Sequence, residues 1–186
     1  GIFISPFGDV ELDPGDTIAL SSSGAPVLNN SGGDSVRLYD ADGNLVDEIS
    51  YSDDTVEGVS YGRKQDAGSE FVWFLPSAVS RGGSNRCEVT NGEWCASDLV
   101  EALDEAESGD VVELLSDVSV SQQANLGSGV TLDGNGYTLS ASFPKNGNSN
   151  NSAIGIVGEN GVEINDLVVD GTGTLPWPDH LHGINI

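Results

Sequence analysis

Two stretches constrain this chain more than any other feature: "GVTLDGNGYTLS" (129–140) and "GVEINDLVVDGTG" (161–173) set short β-branched runs around corners rich in Gly, Asn and Asp. Val112 to Leu115, Val130 to Leu132, Val162 to Ile164 and Ile184 to Ile186 align as one apolar strand repeated at intervals of about 18 to 32 residues, with Ile154 to Val157 inside the longest. Recurrence at that spacing predicts stacked coils and not hairpins. Val130, Leu132 and Leu139 should then point into the stack, while the glycines and asparagine of "DGNG" (133–136) supply the left-handed backbone that sharp corners need.

The first half reads differently. "DTIAL" (16–20), "SVRLYD" (35–40), "NLVDEISY" (44–51), "GVSYGR" (58–63) and "EFVWF" (70–74) are β-branched or aromatic runs separated by turn residues, the pattern of a small β-sandwich. In "LYDADGNLVDEISY" the Asp42-Gly43 pair predicts a tight two-residue hairpin turn with positive φ angles. Alternation places Leu45, Asp47, Ile49 and Tyr51 on one face against Val46, Glu48 and Ser50, which leaves Asp47 as a charge on an apolar face. Only "DLVEALDEAES" has helical spacing, through Leu99, Val100, Leu103 and Ala106, with Ser97 as the expected N-cap and Gly109 as the expected C-terminal stop. The fold class is therefore all-β with one helix.

Two family resemblances sharpen this reading. "GGDSVRLYDADGNLVDEISY" with "GVSYGRKQDAGSEFVWFLPSAVSRGGSN" resembles the lamin tail domain of bacterial and archaeal surface proteins, through the Gly-Gly-Asp strand opening, the "DADGN" hairpin, Ser60-x-Gly62-Arg63, Trp73 and the closing Gly82, Gly83 and Asn85. That resemblance covers residues 1–86 and implies an immunoglobulin-like sandwich acting as a binding or spacer module, without catalytic residues. The helix followed by "SGDVVELLSDVSVSQQANLGSGVTLDGNGYTLS" is similar to the opening of the right-handed parallel β-helix of pectin lyase-like proteins, in which a short amphipathic helix covers the first coil. It covers residues 87–186 as an N-terminal cap and first coils. It specifies a fold and leaves activity open, because one scaffold hosts many functions.

Composition bounds the function. Thirty acidic residues against six basic ones give a formal charge of -24, which repels nucleic acid and anionic membrane surfaces and suits a saline, calcium-containing or halophilic setting. No apolar run reaches the length of a membrane span, and no basic and apolar leader opens the chain, which begins at "GIFIS" like a processed protein or an excised segment. Cys87 and Cys95 flank "EVTNGEW", a spacing that points first to one local disulfide in an oxidising, extracellular or cell-surface compartment, with two buried thiols as the alternative.

The candidate chemistry is sparse. Asp40, Asp42 and Asp47 around "DADGN", and Asp133 in "DGNG", offer hard oxygen ligands for weak calcium binding, although the spacing departs from the EF-hand and turn formation explains the same residues. Calcium is the one cofactor considered, and none is required. "WPDHLHG" brings Asp179, His180 and His182 together as weak candidates for a general base or a metal pair, while His-Gly-Ile-x-Ile is also an ordinary way into a coil strand. Asn29 and Asn150 stand in N-glycosylation patterns. Trp73, Trp94 and Trp177 could stack on sugars, with packing the expected role of Trp73 and coverage of the coil end that of Trp94.

The final apolar strand at "GINI" leaves an open parallel edge, so further coils after Ile186 or a second subunit should cover it. The leading expectation is an extracellular or cell-surface structural or adhesive protein that contacts polysaccharide or other surface proteins, or self-associates through that edge as a filament subunit. The alternative is the N-terminal part of a secreted polysaccharide lyase or glycoside hydrolase. Within this segment the sequence gives no visible carboxylate pair on successive coils, which weighs against enzymatic activity.

Overall fold

The computed structural model describes residues 13–19, 28–29, 31–52, 56–143, 152–158, 160–171 and 182–185. Over these residues the protein is mostly β with a single α-helix, and no sheet closes on itself. The strands are β1 (Asp34–Tyr39), β2 (Leu45–Tyr51), β3 (Ser60–Arg63), β4 (Phe71–Phe74), β5 (Val89–Thr90) and β6 (Trp94–Ala96). After helix α1 (Leu99–Glu105) come β7 (Val111–Leu114), β8 (Val118–Val120), β9 (Ala124–Leu126), β10 (Thr131–Asp133), β11 (Thr138–Ala141), β12 (Ser152–Ile156), β13 (Glu163–Asn165), β14 (Val168–Asp170) and β15 (His182–Asn185).

From β7 onward the chain visits three sheets in the same order three times. β7, β10 and β13 pair in parallel, as do β8, β11 and β14, and β9, β12 and β15. Each sheet carries an in-register apolar rung: Val112, Leu132 and Ile164 in the first, Val118, Leu139 and Val169 in the second, Ala124, Ile154 and Ile184 in the third. Short runs suffice because each strand needs only one or two inward side chains, and alternation sends the neighbours outward. Val112, Leu132, Leu139, Ala124 and Ile154 are fully buried, whereas Ile184 in the last triplet is 44% exposed. Val130, Leu132 and Leu139 point inward as expected. Ile184, however, continues the ladder of Ile154 and not that of Val112. Spacing alone misassigned it, because a winding with three strands per repeat and corners of unequal length lets an apolar strand enter any of three ladders.

The corner at 133–136 shows why those residues stand there. Asp133 Oδ1 accepts the Asn135 amide at 2.9 Å, and Asn135 turns left-handed (φ 48°) with Gly136 (φ 78°). Asn135 Nδ2 then reaches back to the Leu114 carbonyl of the preceding triplet at 3.0 Å, while the Gly134 and Gly136 amides donate to Asn165 and Asp166 of the next. A Cβ at Gly134 would stand 2.5 Å from Leu167 Cα, so the stacked corners touch there.

The first ladder extends into a seven-stranded sheet ordered β13-β10-β7-β5-β6-β4-β3, which takes in strands from both sides of residue 86. Val89 pairs with both Ala96 and Leu114, so the apolar rung continues from the stacked triplets toward β6. α1 lays Leu99, Ala102 and Leu103 on that same core, and a seven-residue helix depends on such packing because it is too short to persist alone. Asp98, not Ser97, caps the helix, accepting the Val100 amide at 2.8 Å. Ser97 is already engaged with the Ser77 hydroxyl and carbonyl. The helix ends at Ala106 in extended backbone, and Gly109 (φ 106°) lies three residues further on, turning the chain into β7.

β1 and β2 form a separate antiparallel ribbon. Its connection is wider than a two-residue turn: the Asp40 amide donates to the Asn44 carbonyl, a bulge follows Leu38, and Gly43 (φ 84°) is left-handed while Asp42 is not. Asp16 to Ala19 form no strand, in contrast to the expectation for "DTIAL", whose Leu20 lies outside the described residues.

Candidate functional site

Most of the sequence candidates turn out to have structural partners. Asp40 Oδ1 accepts the amides of Asp42 and Asn44 at 3.0 and 2.7 Å, and its Oδ2 accepts Asn44 Nδ2 at 2.9 Å. The Asn44 side chain, then its amide, hold the Asp40 carboxyl below the ordinary aspartate range. Asp47 pairs with Arg63 at 2.6 Å, which lowers its pKa in turn and accounts for a charge on the apolar face of the ribbon. Asp133 holds its own corner, and Asp42 sits exposed in the turn. Among the described residues no three His, Cys, Asp or Glu side chains converge on one point. Asn29 is exposed, with Nδ2 donating to the Gly33 carbonyl at 3.3 Å and its own carbonyl accepting the Tyr51 hydroxyl. Burial, and after it the charge of Asp34, push the Tyr51 hydroxyl up. Asn150, Trp177, Asp179, His180 and the side chain of His182 lie outside the described residues. The His182 backbone pairs with Ser152.

The expected disulfide is present. Cys87 and Cys95, with Cα atoms 5.0 Å apart, fasten β6 to the segment entering β5. Cys95 is fully buried beside Val72, Phe74 and Ala78, a small core on the opposite face of the seven-stranded sheet from the stacked rungs.

Two surface features have the chemistry of contact. The first is an aromatic row: Tyr61 pairs across β3 and β4 with Trp73, and Trp73 across β4 and β6 with Trp94. Tyr61 stands 4.7 Å from Trp73 and 5.9 Å from Phe71 between ring centroids, with Tyr51 edge-on at 6.4 Å and the Arg63 guanidinium 4.6 Å over Phe71. These rings are half-buried and pack chiefly on one another, and Trp94 rests on the main core.

The second is a groove of 670 Å³ between the loop after β3 and the disulfide-bonded segment before β5. Lys64 lies in its wall, paired with Glu70 at 3.3 Å. Opposite them, among the described residues, the side chains of Arg86 and Glu88 have no hydrogen-bond or ion-pair partner, and Leu115 and Cys87 give the groove an apolar strip. The groove is not legible in the sequence because its lining is assembled from residues 64–70, 85–88 and 115, which no local pattern joins. A signal was nonetheless available, since Lys64 and Arg86, the two cations of the lining, are two of only six basic residues in the whole chain.

The register also supplies a carboxylate pair that the linear sequence hid. Glu113 and Asp133 are direct neighbours on β7 and β10, followed in the same column by Asn165 of β13, and alternation with buried Val112 and Leu132 turns them outward.

Fold and site together define a mostly β, disulfide-bonded, strongly acidic protein with repeating parallel ladders. Comparison with protein-family models, with curated proteins and with solved structures finds no match. No described helix is long and apolar enough to cross a membrane.

Proposed function

We propose that this chain is an extracellular or cell-surface structural and adhesive module that contacts glycans: an immunoglobulin-like, lamin-tail-type part followed by the capped first coils of a right-handed parallel β-helix. The observation that carries the reading is the threefold return through three parallel, in-register ladders over one apolar interior, with α1 packed against that interior. A stack of this kind is a rigid spacer whose outward side chains are free to vary. The Cys87–Cys95 disulfide supports an oxidising compartment. Tests on intact producing cells are direct: added protease should remove the chain, and Cys87 and Cys95 should resist alkylation until reduced. A protected, cytosolic chain with two free thiols would overturn the proposal.

The outward Glu113–Asp133 pair favours a second reading, the opening of a polysaccharide lyase or glycoside hydrolase. Adjacent strands in a sheet are about 4.8 Å apart, close enough for two carboxylates to act on one bond. Incubation with acidic polysaccharides should then release unsaturated or reducing ends, and Glu113→Gln should abolish the release. Release that survives the substitution would sink that reading.

A further inference from the structure

From the groove between the 64–70 loop and the 85–88 segment, we infer that this protein binds a neutral saccharide there, with Arg86 and Glu88 gripping vicinal hydroxyls. The inference deepens the glycan-contacting part of the reading above. It rests on three observations about the groove.

The first is size: 670 Å³ is room for a disaccharide, within the range of small-molecule clefts. The second is the state of its polar groups. Lys64 and Glu70 pair at 3.3 Å, whereas the exposed Arg86 guanidinium and the half-buried Glu88 carboxylate have no partner among the described residues. A guanidinium offers only donors and a carboxylate only acceptors, so a ligand that satisfies both must present acceptors and donors together. Hydroxyl groups do so. The Gln65 and Ser69 side chains on the same lining add amide and hydroxyl groups of mixed sense, and Leu115 with the Cys87 sulfur offers a surface for the apolar C–H face of a sugar ring.

The third observation is charge. Two cations and two carboxylates leave the lining neutral, in a chain whose net charge of -24 opposes the approach of any polyanion. An uncharged sugar meets neither barrier. An acidic sugar would gain Arg86 but would face Glu88, Glu70 and the field of the whole molecule.

The test is amide-shift NMR on the intact chain, titrated with cellobiose, maltose and lactose, and with galacturonic acid and glycylglutamate as charged comparators. At least one neutral disaccharide should shift the Gln65, Ser69, Arg86 and Cys87 amides saturably at millimolar concentration. Arg86→Ala and Glu88→Gln should each weaken that binding about fivefold or more, as loss of a charge-assisted hydrogen bond does. Gln122→Ala, in a separate hollow beside α1, should leave it unchanged. Because the side chains of Arg86 and Glu88 have no partner among the described residues, both variants should keep the wild-type fold, seen as amide shifts unchanged away from the groove. No saturable shift with any neutral disaccharide, shifts indifferent to both substitutions, or binding confined to the charged comparators would overturn the inference. Its failure would leave the cell-surface reading standing, because that is judged by protease and alkylation on cells.

Discussion

Asn135 ties two successive levels of the stack through one residue. Its left-handed backbone makes the corner, its amide is fixed by Asp133, and its side chain reaches the carbonyl of Leu114 one strand back. Alanine can supply none of the side-chain bond and tolerates φ 48° poorly, so Asn135→Ala should cost about 2 kcal/mol, the sum of a left-handed penalty and one hydrogen bond. Glycine removes the bond but relieves the backbone, so Asn135→Gly should cost about 1 kcal/mol or less. Urea unfolding of the two variants checks this ordering, and equal losses would mean that the backbone conformation contributes nothing. The chemistry of this corner was legible in the sequence, because Gly and Asn announce left-handed positions wherever they occur. Asp47 was legible only as an anomaly, since its partner Arg63 lies on a different strand and no local pattern could name it.

Among the elements, the β1–β2 ribbon has the weakest claim to independence. Two strands alone are marginal in water, and Val46 and Leu45 remain exposed on it. The described ties from β2 to β3 are Asp47 to Arg63 and Tyr51 against Tyr61. Because Arg63 lowers the Asp47 pKa in the folded state, this tie contributes fully above the ordinary aspartate value of 3.8 and is lost as pH falls through the depressed one. The Tyr51 ring signal should therefore change on acidification below about pH 4, and Asp47→Asn should remove the part of that change due to this pair. A titration identical in the variant would dissociate Asp47 from the docking. Ribbon and helix were both visible from alternation and helical spacing, but their ends were not. Ser97 and Asp98 are equally good caps by residue type, and only the neighbouring Ser77, twenty positions away in sequence, decides between them by occupying Ser97. The ladder of Ile184 was undecidable for a related reason: the spacing that reveals a repeat does not count strands within it.

At the scale of the whole molecule, the decisive quantity is the imbalance of thirty acidic residues against six basic ones. Three ion pairs, Arg37–Glu48, Arg63–Asp47 and Lys64–Glu70, occur among the described residues, far fewer than the thirty carboxylates, so carboxylate repulsion is largely unmatched by cations. The stacking compounds this: in-register pairing sets Glu113 directly beside Asp133, at a strand spacing of about 4.8 Å, where like charges destabilise. Salt acts on the two kinds of interaction in opposite senses. It weakens the few exposed pairs, each worth about 0–1 kcal/mol, and it screens the many repulsions, for which the Debye length falls from about 30 Å at 0.01 M to about 3 Å at 1 M. With repulsions far more numerous than pairs, the second effect should win. The melting temperature should rise between 0.01 and 1 M potassium chloride, by about 2–4 °C for each kcal/mol of repulsion screened. Chloride is the anion of choice because sulfate would also strengthen apolar burial and confuse the cause. Glu113→Gln should raise the melting temperature at low salt and have less effect at high salt, since it removes one repulsive neighbour. A melting temperature that falls with chloride, or a Glu113→Gln gain that is independent of salt, would show that the surface charge is locally compensated in the fold.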